Sequence, residues 1–248
     1  MKYLSLVLLF LVACAGIANA ASPEVDPVIR KIQDAVVKEI PSFSTMKVGK
    51  SIIPGIYEVQ VDQHFLYFTE DARYFFRGDL IDFKDKINLS DERRKAYRQK
   101  ILGDALKKGD VVSFKAKDEK SRVSVFTDID CTYCRRLHNK MADYNKKGIT
   151  IDYFFYPRAG KPSPAYDKAA KVWCAEDRND AMTKAKTLNN FQGKICKETP
   201  IDEHVILGRK LNVRGTPYMV LEDGTDIKGF VEPEALLQRI RNSKHSKN

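Results

Sequence analysis

The sequence predicts an α+β protein: a small N-terminal β-rich dimerisation domain, a charged linker helix, and a larger C-terminal domain with a helical insertion. Three observations predict it. Short apolar and aromatic runs crowd residues 56–83. A charged helical stretch begins near Ser90 and stops at Gly109. Beyond it, strands alternate with helices in a βαβ…ββα order. The expected boundaries are 21–85, 86–109 and 110–248, behind a leader of residues 1–20.

The composition fits that layout. A chain of 248 residues holds one large core or two modest ones, and 43% hydrophobic with 31% charged residues excludes both a disordered tail and a membrane bundle. There is no internal repeat, and the only low-complexity tract is a frayed end over 242–248. The leader has Lys2, an apolar run over 4–13 broken only by Ser5, and Ala18-Asn19-Ala20 before Ala21, which is the form of a secretory signal peptide. A minor alternative is Leu11-Val12-Ala13-Cys14, a lipoprotein-like box that would anchor the chain at Cys14. Cleavage after residue 20 takes Lys2 from the 43 basic residues, leaving 42 against 33 acidic ones, and Cys14 from the five cysteines, leaving four. The excess basic charge is scattered among acids, as in Asp91-Glu92-Arg93-Arg94-Lys95, without the basic stripe and stacked aromatics of a nucleic-acid binder.

In order along the chain, Val28, Ile32, Ala35, Val36 and Ile40 have helical spacing and stop at Pro41. Strand-like runs follow at 56–61, 64–69, 73–77 and 80–83, with turns at Asp62-Gln63 and 70–72. A meander of this size has a limited core and open strand edges, which pairing with a second copy would cover; packing on its own neighbour is the alternative. Ser90 reads as the N-cap of the next helix, with Asp91 and Glu92 in its first turn and Tyr97, Ile101, Leu102 and Ala105 as a narrow apolar stripe. Such a helix serves as a rigid spacer, or packs on one of its neighbours. Strands are then expected at 111–115, 122–127, 149–156, 218–221 and 227–231, and helices at 134–148, within 163–190, at 207–213 and at 233–241.

The four mature cysteines carry the chemistry. An exported chain with an even cysteine count keeps disulfides, and adjacent pairing in Cys131-Thr132-Tyr133-Cys134 favours 131–134 with 174–196 among the three connectivities. A C-x-x-C between strand and helix places Cys131 at a helix N-terminus, where free N–H groups and the macrodipole stabilise a thiolate. Arg135, Arg136 and His138 are expected to add positive charge. Cys131 then attacks a disulfide, and Cys134, one turn later and more buried, resolves the mixed disulfide. An inert disulfide, or half a zinc site completed by Cys174, Cys196 or a histidine, stands as the alternative, although a second close C-x-x-C or H-x-x-H is lacking. The second element is Gly215-Thr216-Pro217 before an apolar strand. A cis proline there leaves the preceding backbone free to pair with a substrate strand beside the sulfurs.

With these residues in view, the sequence resembles the thioredoxin superfamily, and within it the periplasmic disulfide isomerases of the DsbC and DsbG type, nearer to DsbC. The matching features span nearly the whole mature chain: the β-rich start, the charged helix, Phe126-Thr127-Asp128-Ile129 before the C-x-x-C, Leu137-His138 behind it, the spaced Cys174 and Cys196, and Gly215-Thr216-Pro217. The resemblance implies a V-shaped periplasmic homodimer joined through its N-terminal domains, with thioredoxin-like catalytic domains facing a cleft. It implies Cys131 as the attacking cysteine, Cys134 as the resolving one, Thr216 and cis-Pro217 as substrate-binding residues, and Cys174–Cys196 as a structural disulfide. Where Thr132 stands the DsbC type has Gly and the DsbG type Pro, so the dipeptide Thr132-Tyr133 decides neither way. Asp130, directly before the nucleophile, is expected to raise its pKa by like-charge repulsion. Val125 stands where thioredoxin carries a buried acid.

The leading expectation is therefore a periplasmic thiol:disulfide isomerase without a cofactor. It would act on misfolded or mis-oxidised exported proteins with chaperone-like binding, and an inner-membrane reductase of the DsbD type would keep it reduced. A DsbG-like reductase of sulfenylated or specific folded partners and a dimeric holdase with an idle C-x-x-C are the competing readings.

Overall fold

The computed structural model describes residues 26–188 and 191–245. The expected signal at 1–20 and the alternative anchor at Cys14 lie outside the described residues.

Helix α1 (Pro27–Glu39) starts where Asp26 accepts a hydrogen bond from the Val28 N–H and Pro27 fills the first turn. Its buried face, Ile32 and Val36, packs on a four-stranded antiparallel meander of β1 (Lys47–Lys50), β2 (Ile56–Val61), β3 (His64–Thr69) and β4 (Phe75–Arg77), in that order. Met46, Tyr57, Val59 and Phe68 complete this core. Strand β1 escaped the sequence reading because Lys47-Val48-Gly49-Lys50 carries one apolar side chain. The expected 73–77 run shortens to β4. Its Phe75 and Phe76 are more than half or half exposed while stacking on Phe68 and Tyr67. A two-stranded ribbon, β5 (Ile81–Asp82) and β6 (Ile87–Asn88), leads into α2 (Leu89–Lys107).

Ser90 is not the N-cap of α2. Asn88 caps it, accepting from the Asp91 N–H. Ser90 is instead fully buried, where its hydroxyl accepts from the Leu80 N–H and bonds to the Tyr67 hydroxyl, tying helix to sheet. Helix α2 is also not a free-standing spacer. Leu102, with Ile101, Ala105 and Leu106, joins a core containing Phe126, Phe154, Leu211, Val213, Tyr218 and Val220. Earlier along it, Arg98 is buried and donates to the Gly224 carbonyl at 2.6 Å and to Gln63 at 3.1 Å. The turn at Gly224 has φ +85°, and a β-carbon there would sit 2.1 Å from the Lys95 carbonyl oxygen, so only glycine allows this approach.

The C-terminal sheet has the order β11-β10-β8-β9-β7, formed by β7 (Val112–Phe114), β8 (Ser121–Thr127), β9 (Ile149–Phe155), β10 (Tyr218–Leu221) and β11 (Asp226–Lys228). Strands β8 and β9 pair in parallel, and the other pairings are antiparallel. The crossover between β8 and β9 is α3 (Thr132–Asn139) and α4 (Met141–Lys146), with a break at Lys140 in the expected single helix. Between β9 and β10 lie α5 (Pro164–Trp173), α6 (Arg178–Thr187) and α7 (Ile201–Lys210), and α8 (Pro233–His245) closes the fold. Three expectations change here. The helix placed at 207–213 runs over 201–210, because Asp202 and Glu203 favour its positive start. The last strand is Asp226–Lys228 rather than 227–231, as Gly229 turns at φ +88°. The end expected to fray from 242 stays helical to His245.

Candidate active site

Strand β8 is buried almost throughout and delivers the chain to Thr127, from which a tight turn leads to the cysteines. Asp128 builds that turn. One carboxylate oxygen accepts from the Asp130 N–H, the other accepts from both the N–H and Nε of Arg158 at 3.0 Å, and its carbonyl accepts from the Cys131 N–H. Cys131 occupies the N-cap position of α3 in an extended conformation, and Cys134 lies in the first turn. Cys131 is 4% exposed and Cys134 is fully buried, both as thiols, while Tyr133 between them is 60% exposed. Across from them the Thr216–Pro217 peptide is cis, and the Cys131 thiol donates to the Thr216 carbonyl at 3.2 Å.

The two sulfurs are electrostatically opposite. A hydrogen bond from Cys134 is the largest influence holding the Cys131 thiol down to about 5, from an ordinary 9.0. Burial opposes it, and the Thr216 hydroxyl and the backbone N–H groups of Cys134 and Tyr133 assist. That hydroxyl is buried and has no partner among the described residues while Cys131 is a thiol, so it is available to a thiolate. Burial drives the Cys134 thiol well above its ordinary value, and its bond to Cys131 adds to this. A proton on Lys186 and the Thr127 hydroxyl pull the other way. Near neutral pH the arrangement is a thiolate on the less buried sulfur and a thiol directly behind it.

The expected sources of positive charge are not the operative ones. His138 is buried between the Tyr153 and Thr183 hydroxyls, and burial lowers its pKa to about 3, so it is neutral. Arg136 is engaged by Glu232 at 2.9 Å. The Cys131 pKa is lowered and not raised as the neighbouring Asp130 suggests, and Arg135 at 3.0 Å and Lys168 at 2.7 Å compensate that carboxylate. Short hydrogen bonds at the helix start set the thiolate in place of these longer-range charges.

Cys174 and Cys196 form a disulfide with a Cα separation of 5.5 Å, so neither is available to complete a metal site with the C-x-x-C. Val125 is fully buried in the sheet, as expected of an apolar replacement. Sequence reasoning missed Lys186 and gave Thr127 a place in a motif but no role. The Lys186 amine donates to the Thr127 hydroxyl at 2.9 Å and to the Asp128 carbonyl at 3.3 Å, and the residue is 2% exposed. A signal was present: Lys186 falls on the Ala181, Met182, Ala185 stripe that α6 buries.

Comparison with known proteins agrees with this geometry. A family model described as "Disulfide bond isomerase protein N-terminal domain" matches residues 17–91, and one described as "Thioredoxin-like domain" matches residues 108–244. The thiol:disulfide interchange protein DsbC of Dickeya dadantii is 34% identical over 251 residues, covering 99% of this chain and 97% of that protein. The chain belongs to the DsbC family. The Escherichia coli DsbC is 30% identical over 226 residues, covering 91% of this chain and 90% of that one. A linker-deletion variant of Proteus mirabilis ScsC superposes with a TM-score of 0.52 at 18% identity, over 63% of this chain and 86% of that one, which supports the fold alone. The expected α+β fold and the expected enzyme class, a thiol:disulfide oxidoreductase and isomerase, are borne out by DsbC membership.

Proposed function

We propose that the protein rearranges incorrect disulfides in exported proteins, with Cys131 as nucleophile and Cys134 as resolving thiol. The observation that carries this is the Cys131 sulfur at the start of α3, beside the cis Thr216–Pro217 peptide and held as a thiolate near neutral pH. Its thiolate attacks a substrate disulfide. The enzyme–substrate S–S bond forms as the substrate S–S bond breaks, and one substrate sulfur leaves as a thiolate. A second substrate thiolate then displaces Cys131 to give a new pairing, or Cys134 displaces the substrate and leaves Cys131–Cys134 oxidised. Thr216 and Pro217 sit beside the sulfurs, where a substrate backbone would be held, and Cys174–Cys196 is structural in this reading. An inner-membrane reductase of the DsbD type would restore the dithiol.

The same reading assigns residues 1–20 to an export signal, which places the enzyme in the periplasm. Residues 21–85 are the dimerisation domain, 86–109 the linker helix and 110–248 the catalytic domain. Support for a homodimer comes from the N-terminal region, where Phe75 and Phe76 on β4, Ile81 on β5 and Phe83 just after it are exposed, Phe83 to 92%. Those side chains also suit chaperone-like contact with misfolded chains.

Refolding of a scrambled multi-disulfide protein tests the proposal, with wild type compared to Cys131→Ser. Recovery of native substrate by wild type and its loss in the variant is the expected result. Equal recovery by both proteins would remove Cys131 from the mechanism.

A further inference from the structure

Lys186 is a buried amine with no carboxylate partner among the described residues. Among the described residues it forms no ion pair, and its two hydrogen-bond partners, the Thr127 hydroxyl and the Asp128 carbonyl, are neutral. The Asp128 carboxylate is committed to Arg158 and to the turn backbone. The remaining groups around the amine are the Tyr153 ring, 5.4 Å from Nζ, His138 on α3, Arg135, and the two cysteines. Burial lowers the Lys186 pKa, whereas Cys134, Asp128 and Cys131 act to raise it. An isolated charge in such a place is unfavourable by several kcal/mol unless something compensates it, so a purely structural role is poorly served by lysine.

What stands nearest in chemistry is Cys134. Thr127 bridges the two, since its hydroxyl accepts from Lys186 and also hydrogen-bonds the Cys134 sulfur. We propose, on the basis of the Cys131 mechanism above, that Lys186 is a positioning residue that takes the Cys134 proton through the Thr127 hydroxyl when Cys134 resolves a mixed disulfide. In that step the Thr127 hydroxyl turns to donate to the neutral amine, Cys134 S–H gives its proton to the Thr127 oxygen, and Thr127 passes its own proton to the amine. The Cys134 thiolate attacks the Cys131 sulfur, the Cys131–Cys134 bond forms, and the Cys131–substrate bond breaks. The substrate sulfur leaves as a thiolate, protonated by solvent. The thiolate and the new ammonium neutralise each other while both are buried, which explains why the site tolerates either group. Reduction of the disulfide by an incoming thiol runs the same relay backwards.

The test is a single-turnover reaction of the reduced full chain with a fluorescent peptide joined to a quencher through a disulfide. Formation of the Cys131 mixed disulfide is read separately from its release, and Lys186→Met and Thr127→Val are compared with wild type between about pH 6 and 9. Lys186→Met fills the site with an apolar chain of similar length, so its folding is preserved or improved. The expected result is formation within about twofold of wild type, with release slowed about 10- to 100-fold at neutral pH and recovering as pH rises. Thr127→Val is expected to show the same pH-dependent defect with Lys186 intact. Release in Lys186→Met at the wild-type rate and with the wild-type pH profile overturns the proposal, as does slowed release that stays flat with pH, which indicates a packing role. Absence of a formation phase in the wild type overturns the Cys131 reading, and the relay with it.

Discussion

The molecule contains two cysteine pairs, and they differ in ways that reverse the intuition that reactive sulfur is exposed sulfur. Cys131 and Cys134 are 4% and 0% exposed and are thiols, while Cys196 lies on an exposed loop and is closed onto Cys174. The first pair sits at a helix start, ringed by hydrogen bonds that make its two sulfurs unequal in acidity. The second ties the end of α5 to a loop 22 residues later. On the proposed reading, thiol reactivity follows the number of donors aimed at a sulfur, and structural use follows the length of chain the bond closes.

Breaking the first pair should have the largest effect. Cys131→Ser is expected to lower disulfide rearrangement by about 100-fold or more, because neither Cys134 nor a hydroxyl supplies a thiolate at neutral pH; recovery of a scrambled substrate measures it. Breaking the second pair should leave chemistry intact and reduce stability. Cys174→Ser with Cys196→Ser opens a loop of 22 residues, worth about 3 kcal/mol by chain entropy, read from denaturant unfolding while Cys131 alkylation is unchanged.

Smaller perturbations sharpen the contrast. A lowered thiol pKa means the reactive form persists below the ordinary range, so Cys131 alkylation should be pH-independent above neutrality and fall with a midpoint at about 5. Thr216→Val removes one donor and should move that midpoint upward, giving slower alkylation between about pH 5 and 7. Asp130→Asn should matter least. Arg135 and Lys168 already compensate the carboxylate, and the midpoint is expected to shift downward by less than about half a pH unit.

These contrasts also show what was legible in the sequence. The cysteine spacing, Gly215-Thr216-Pro217 and the 64–69 and 218–221 strands are local signals, and residues 64–69 and 218–221 form strands with those limits. Signs of charge were legible, and their partners were not. Asp130 next to Cys131 reads as repulsion until Lys168, 38 residues away, reaches it, and His138 reads as a cation until its burial against Tyr153 appears. Ser90 likewise satisfies every rule for an N-cap, and loses that position because Tyr67 and Leu80 use its hydroxyl. Lys186 was obscured by composition, since one lysine among the many of a basic chain gives no sign of burial unless its place in an apolar helical stripe is counted.

The central claim is that Cys131 attacks and Cys134 resolves. Trapping tests it most directly: Cys134→Ser, incubated with a mis-oxidised substrate and quenched with acid, is digested and mapped by mass spectrometry. Mixed disulfides to the substrate should accumulate on Cys131 and be absent when Cys131→Ser is added. Adducts on Cys174 or Cys196, or no adduct with substrate still rearranged, would contradict the account.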